Sequence, residues 1–239
     1  MSEEGTSSSF IFPRWANYAL PAIAIAAIGG MLYMPVAVGL GFSPKTTAVG
    51  YAPTQPVPYS HAMHAGKLGL DCRYCHSTVE KAAFAAIPAT QVCMNCHSVI
   101  HKDSDRLKPI RDSWTSGKPV EWVKVHDLAD YVYFNHSAHV TQGIGCVSCH
   151  GRIDHMDVVQ QEAPLSMGWC LDCHRDPGKH IRPKNEITNM GWKATDYKRA
   201  KDNNVTDENQ AQAMVAEDLM TKHGIRDQAY MTSCFTCHR

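Results

Sequence analysis

Tyr59-Ser-His61-Ala-Met-His64 and Phe134-Asn-His136-Ser-Ala-His139 are two copies of one pattern, an aromatic residue followed by a His-x-x-His pair. His64 stands eight residues before Cys72-Arg-Tyr-Cys75-His76, and His139 stands seven before Cys146-Val-Ser-Cys149-His150. In each copy a second Cys-x-x-Cys-His follows, at Cys93, Cys96 and His97 and at Cys170, Cys173 and His174. Between copies the offsets are 75 residues for His61 and His136, 74 for Cys72 and Cys146, and 77 for Cys93 and Cys170. A fifth motif, Cys234, Cys237 and His238, lies 64 residues beyond Cys170. The pattern is a tandem duplication of a two-motif unit with one motif added.

All ten cysteines of the 239-residue chain fall in these five motifs. Two thiols three residues apart followed directly by histidine are how a c-type haem is attached, the thiols as thioethers and the histidine binding iron from one side. Zinc knuckles also use Cys-x-x-Cys, but they come in pairs and need no histidine after every second cysteine. Disulfide frameworks are not spaced this way either. The expected cofactor is therefore five haem c, held by Cys72, Cys75, Cys93, Cys96, Cys146, Cys149, Cys170, Cys173, Cys234 and Cys237, with His76, His97, His150, His174 and His238 as proximal iron ligands.

Formal charge is balanced, 23 basic against 23 acidic residues, and nothing points to a nucleic-acid partner. Two propionates on each haem make the assembled protein more acidic than its chain, which favours a basic docking partner. From Trp15 to Phe42 the chain has no charge and is dominated by Ala, Ile, Leu, Val, Gly and Met, enough to cross a bilayer, which takes about 20 apolar residues. Trp15 and Tyr18 fit an interfacial belt, and Pro21 and Pro35 are expected to bend or bound the helix. A cleaved signal peptide has a shorter apolar run behind a basic head, whereas Glu3 and Glu4 precede this one. The expected organisation is a cytoplasmic tail over 1–14, a transmembrane helix over 15–42, and a Pro-rich extended tether over 43–58. A first di-haem module over 59–133 and a second, with the fifth haem, over 134–239 complete it.

Beyond the membrane span about 195 residues serve five haems, roughly 40 each, too few for an ordinary core. Short motif-bearing helices, irregular connections and almost no sheet are expected, with the porphyrins as the core. Thr206 to His223 reads as a helix, with Thr206 as a candidate N-cap and Met214, Val215, Leu219 and Met220 as its apolar face.

Low-spin carriers need a second axial ligand on each iron. Nine histidines remain for this, and His61, His64, His136 and His139 are the strongest candidates because they recur in both modules. Residues three apart on a helix diverge, so each pair can serve two haems. For the fifth site the candidates are Met167, then His126 and Met156; a methionine there would raise that haem's potential. His101, His155, His180 and His223 read as solvated or propionate-bound.

The aromatic-x-His-x-x-His segments resemble the cytochrome c3 and c7 class, in which paired histidines serve different haems. The anchor, the five motifs, Cys72-Arg-Tyr-Cys-His-Ser-Thr-Val-Glu80, Tyr133-Phe-Asn-His-Ser-Ala-His139, Leu165-Ser-Met-Gly-Trp-Cys-Leu-Asp-Cys-His-Arg175 and Thr236-Cys-His-Arg239 together resemble the pentahaem subunit of bacterial alternative complex III. The resemblance implies a mainly α fold with much irregular coil, a single transmembrane helix and a cytochrome c3/c7-like multihaem domain. It implies an electron-transfer subunit, not itself an enzyme, in the bacterial inner membrane with its haems on the periplasmic side. Its implied partners are an iron-sulfur protein, polytopic quinol-oxidising membrane subunits, and a monohaem cytochrome c or terminal oxidase. A free-standing single-anchor quinol dehydrogenase is the alternative, disfavoured by the fifth motif and the duplicated pairs. A multihaem reductase needs an open iron, often beside Cys-x-x-Cys-Lys, and no such motif is present.

Overall fold

A computed structural model describes residues 12–13, 15–41 and 47–238, which fall into two compact units divided after Thr46. Residues 1–11 and 14 of the expected tail, Phe42 of the expected span, residues 43–46 of the tether and Arg239 lie outside the described residues.

The first unit is one helix, α1 (Ala16–Gly41), of 26 residues, with a mean hydropathy of 2.0 over its most apolar stretch and none of its side chains buried. At 1.5 Å per residue it is about 39 Å long, more than the roughly 30 Å of a bilayer's hydrocarbon core. A helix apolar on every face needs an apolar surrounding. Pro21 and Pro35 both lie inside α1 and neither bounds it.

The second unit is built of short helices joined by coil, with no strand among the described residues and one isolated antiparallel bridge, Ile144 to Ile181. Five helices carry or overlap the cysteine motifs: α2 (Cys72–Cys75), α3 (Thr90–His97), α6 (Val147–His150), α7 (Met167–Arg175) and α11 (Cys234–Cys237). Between them stand α4 (Lys108–Ser116), α5 (His136–Thr141), α8 (Lys198–Asp202), α9 (Glu208–Lys222) and α10 (Gln228–Met231). Helices this short are marginal in water, so their ends must be satisfied locally. Asp71 caps α2 by accepting from the Arg73 N–H, Asn135 caps α5 through Ala138, Ser166 caps α7 through Trp169, and Asp227 caps α10 through Tyr230. For α9 the cap is Asp207, accepting from Gln210, and not Thr206; a carboxylate at the positive end of the helix dipole is the stronger choice.

One expectation fails in part. An ordinary hydrophobic cluster does exist: Ile181, Ala194, Ala200, Ala211, Val215 and Leu219, with Met214, Met220 and Trp192 packed around it. It sits in the stretch between the fourth and fifth motifs. With no motif there to bring a cofactor, α9 must bury its own apolar face against the turns Pro177–Lys179 and Ala194–Asp196.

The described residues just before Tyr59 are docked at several points. Gly50 and Tyr51 exchange backbone hydrogen bonds with Gln161 (2.7 and 3.1 Å), Gln55 pairs its side-chain amide with the Val123 backbone (2.8 and 2.9 Å), and Val57 is buried. Within this unit the two sequence repeats also interlock. The π-helical turn Ala62–Lys67 packs on the turn Ile153–His155 so closely that a Cβ on Gly66 would lie 2.3 Å from the Asp154 carbonyl oxygen. In the other direction, the His136 and Ser137 N–H groups donate to the Ala83 and Ala82 carbonyls (3.0 and 3.2 Å).

Candidate functional site

On each motif helix the two cysteines are one turn apart and share a face, and the histidine follows at the helix end. All ten thiols are free of disulfides. The motif histidines are oriented through one ring nitrogen. The Nδ1 of His76 contacts the Ala86 carbonyl (2.9 Å), that of His97 Ile100 (2.9 Å), that of His174 Met231 (2.8 Å) and that of His238 Tyr131 (2.9 Å). An Nδ1–H donated to a carbonyl leaves Nε2 as the metal-binding lone pair. His150 is the exception: its Nδ1 is buried and has no partner.

The repeated histidines are held in the same way. His64 and His139 each place Nδ1 2.8 Å from the carbonyl four residues earlier, Ser60 and Asn135, and His136 reaches Ala83 at 2.9 Å; the Nδ1 of His61 is buried and unpaired. A second brace was not legible as such. Tyr59 meets His61 edge-on at 4.8 Å and stacks on His64 at 4.4 Å, and Phe134 meets His136 edge-on at 4.7 Å and stacks on His139 at 4.6 Å. Recurrence of an aromatic residue at the same place in both copies was the signal for it.

Across the clefts, the rings of His64 and His97 are 6.2 Å apart, those of His136 and His150 6.5 Å, and those of His139 and His174 6.2 Å. Two imidazoles on opposite sides of one metal, with metal–nitrogen bonds of about 2 Å, have centroids roughly 6 Å apart. His61 feels the charge of His76, without a ring contact. His238 has Tyr131 at 5.8 Å, and no histidine ring is in contact with it among the described residues. Met167 is exposed at the start of α7, one turn before Cys170. Met156 lies beside the π-helical turn, its carbonyl accepting from the Ala62 N–H (3.0 Å). His126 sits against His150, edge-on at 4.5 Å.

Of the remaining histidines, His155 is exposed beside Arg152 and Asp154. His223 is buried and not solvated, its Nδ1 3.0 Å from the Gln142 carbonyl where α9 ends against Gly143.

Burial favours the neutral form of three of these imidazoles, His61, His139 and His150. Desolvation, reinforced by His76 and His64, holds His61 down to about 4. Desolvation, with His126, His136, His76 and His61 around it, holds His150 down to about 3. His139 is lowered chiefly by burial. A neutral ring is the form that binds metal.

The motifs also neighbour one another. The Cys72 and Cys146 side chains are neighbours that influence each other electrostatically. Charge interactions join Cys75 to Cys93, Cys149 to Cys170 and Cys173, and Cys170 to Cys237. Each motif thus has a cysteine near one of another motif. Among the described residues no group of three His, Cys, Asp or Glu is arranged to hold a metal by itself. Thiol pairs, each with one oriented imidazole and most with a second imidazole opposite, are a donor set that fits haem c.

Similarity to a known protein carries the same conclusion. Over 143 residues the chain is 34% identical to the multihaem cytochrome c subunit of menaquinone reductase from Nitratidesulfovibrio vulgaris, an alignment spanning 50% of this chain and 67% of that protein. The chain belongs to the multihaem c-type cytochromes. No protein-family model matches it. The cytochrome thus combines a mainly helical haem c unit with one helix able to anchor it in a membrane.

Proposed function

We propose that this cytochrome is the pentahaem electron-transfer subunit of a membrane-bound quinol-oxidising complex of the alternative complex III kind. The observation that carries the reading is the mutual nearness of the five motifs' cysteines in a chain with one bilayer-length helix. Each cysteine pair holds one haem, and the histidine after it is the proximal ligand. Opposite them stand His61 for the site of His76, His64 for His97, His136 for His150 and His139 for His174. Ring separations near 6 Å support the last three, and the charge contact between His61 and His76 supports the first.

Met167 completes the site of His238. It shares a helix face with Cys170, which neighbours Cys237, and no histidine ring meets His238 among the described residues. His126 and Met156 are the other candidates there. When bound, haem c supplies one-electron redox chemistry at each site. The chain's own residues fix the axial rings by Nδ1 contacts and aromatic braces and exclude water by burial. Because they keep two strong ligands on each iron, reorganisation on electron gain stays small.

Haem c is attached on the outer side of the membrane, so the haem unit is periplasmic and residues 1–14 are cytoplasmic. The partners are an iron-sulfur protein, polytopic quinol-oxidising subunits, and a monohaem cytochrome c or terminal oxidase as acceptor. A second reading has a specific observation behind it: the relative is a subunit of a menaquinone reductase, so electrons would enter from the periplasmic side and reduce quinone.

Mild-detergent extraction from native membranes, followed by mass spectrometry and assays in both directions, separates the possibilities. Recovery with iron-sulfur and polytopic partners that oxidise quinol supports the proposal. A complex that only reduces quinone favours the second reading, and a cytochrome recovered alone yet oxidising quinol is a free-standing dehydrogenase. For the ligands, His64→Ala should turn one haem high-spin; an unchanged low-spin spectrum removes His64 from the set.

A further inference from the structure

Four of the five motif histidines have Nδ1 engaged by a backbone carbonyl, and His150 does not. A ring nitrogen that is buried without a partner calls for an acceptor. Beside it, the Nε2 of His126 is likewise buried and unpaired. The Nε2 atoms of His61, His64, His136 and His139 are not among the buried unpaired atoms, so His126 differs from the residues that face the clefts.

The rings of His126 and His150 meet edge-on at 76° with centroids 4.5 Å apart. That is too close for a metal between opposed rings, which needs roughly 6 Å given metal–nitrogen bonds of about 2 Å. It is close enough for ring rotation alone to bring two nitrogens within the hydrogen-bond range of about 2.8–3.2 Å. Of the other imidazoles around His150, His61 also has an unpaired Nδ1 but its ring makes no contact with that of His150 among the described residues, and His136 already uses its Nδ1 on Ala83. His76 likewise uses its Nδ1 on Ala86.

We infer that His126 is a positioning residue for the third site: its Nε2 accepts the Nδ1 proton of His150 and takes the place filled elsewhere by a carbonyl. An imidazole nitrogen is a stronger base than a carbonyl oxygen. The proton is therefore drawn further from His150, and the ligand gains electron density that favours the oxidised iron. The third site is thereby held at a lower potential than a carbonyl partner would give, by a side chain that a mutation can remove.

The inference rests on His150 being an iron ligand, which His150→Ala tests separately by loss of one low-spin haem. His126→Ala and His126→Gln in the full cytochrome are then compared by haem count, low-temperature EPR and spectroelectrochemical titration. The expected result is five haems, all still low-spin, with one midpoint potential raised in His126→Ala. His126→Gln, whose amide oxygen can accept the same proton, restores part of that shift. A new high-spin haem would make His126 an axial ligand and overturn the inference, as would unchanged potentials in both variants.

Discussion

Removing the ring of Phe134 should loosen two haem sites at once. The ring stands edge-on to His136 at 4.7 Å and stacks on His139 at 4.6 Å, and these two histidines face His150 and His174. An aromatic pair of this kind contributes about 0.5–1.5 kcal/mol beyond buried area. Losing it from each histidine shifts each ligand's open–closed balance by about 2- to 13-fold, since about 1.4 kcal/mol is a factor of ten. With the Nδ1 bonds to Ala83 and Asn135 still in place, the irons of Phe134→Ala remain six-coordinate at rest. The change shows in kinetics. Carbon monoxide can bind a reduced six-coordinate haem only after its histidine leaves, so stopped-flow mixing should reveal two of the haems reacting several-fold faster than in the unmodified cytochrome. Tyr59→Ala should accelerate a different pair, those of His61 and His64, and the double variant four. Acceleration of a single haem by Phe134→Ala, or of the same haems by both variants, would refute the brace and the pairing behind it.

Gly145→Ala places a methyl group 2.3 Å from Arg182 Nε and 2.4 Å from Cζ, with the guanidinium held above Trp192 and bonded to the Asn189 carbonyl (3.0 Å). The expected cost is about 1–3 kcal/mol, visible as a lower thermal midpoint. An unchanged midpoint would show that Arg182 moves aside freely. Asp207→Ala removes the α9 cap and should cost about 1 kcal/mol in a denaturant titration, with Asp207→Asn recovering most of it. His223 carries a pH dependence. Burial lowers its folded pKa below the usual 6.5, so its contribution is present above pH 6.5 and is lost as pH falls toward the folded value, where the unfolded chain binds the proton first. Replacing it with Gln should flatten that acid limb in melts between pH 7 and 5, and an identical limb in the variant would assign it to other groups.

What could be read from the sequence was whatever repeats or sits at fixed spacing. The motif helices, the duplicated histidine pairs, the apolar span and α9 all follow local periodicity. The α9 cap fell one residue from the expected Thr206 because Thr and Asp stand side by side there and both can cap. The small core around Val215 was missed because its partners, Ile181, Ala194 and Ala200, lie in irregular chain where apolar residues show no period. Carbonyl acceptors such as Ala86, Ile100 and Met231 were out of reach for a simpler reason: any residue presents a carbonyl, so sequence carries no mark of which one receives an imidazole proton. The nearness of the motifs was equally hidden, since Cys72 and Cys146 stand 74 residues apart in sequence.

The stretch ahead of the second histidine pair is held from the far end of the sequence. The Cys237 carbonyl accepts from the Tyr133 N–H (2.8 Å) and the His238 Nδ1–H donates to the Tyr131 carbonyl (2.9 Å), so the fifth motif clasps the strap that leads directly into Phe134. Strain at either hydrogen bond therefore reaches Phe134 within a few residues of chain, and through its ring the histidines it braces, His136 and His139. The last motif of the sequence is in this way tied mechanically to the middle of the chain.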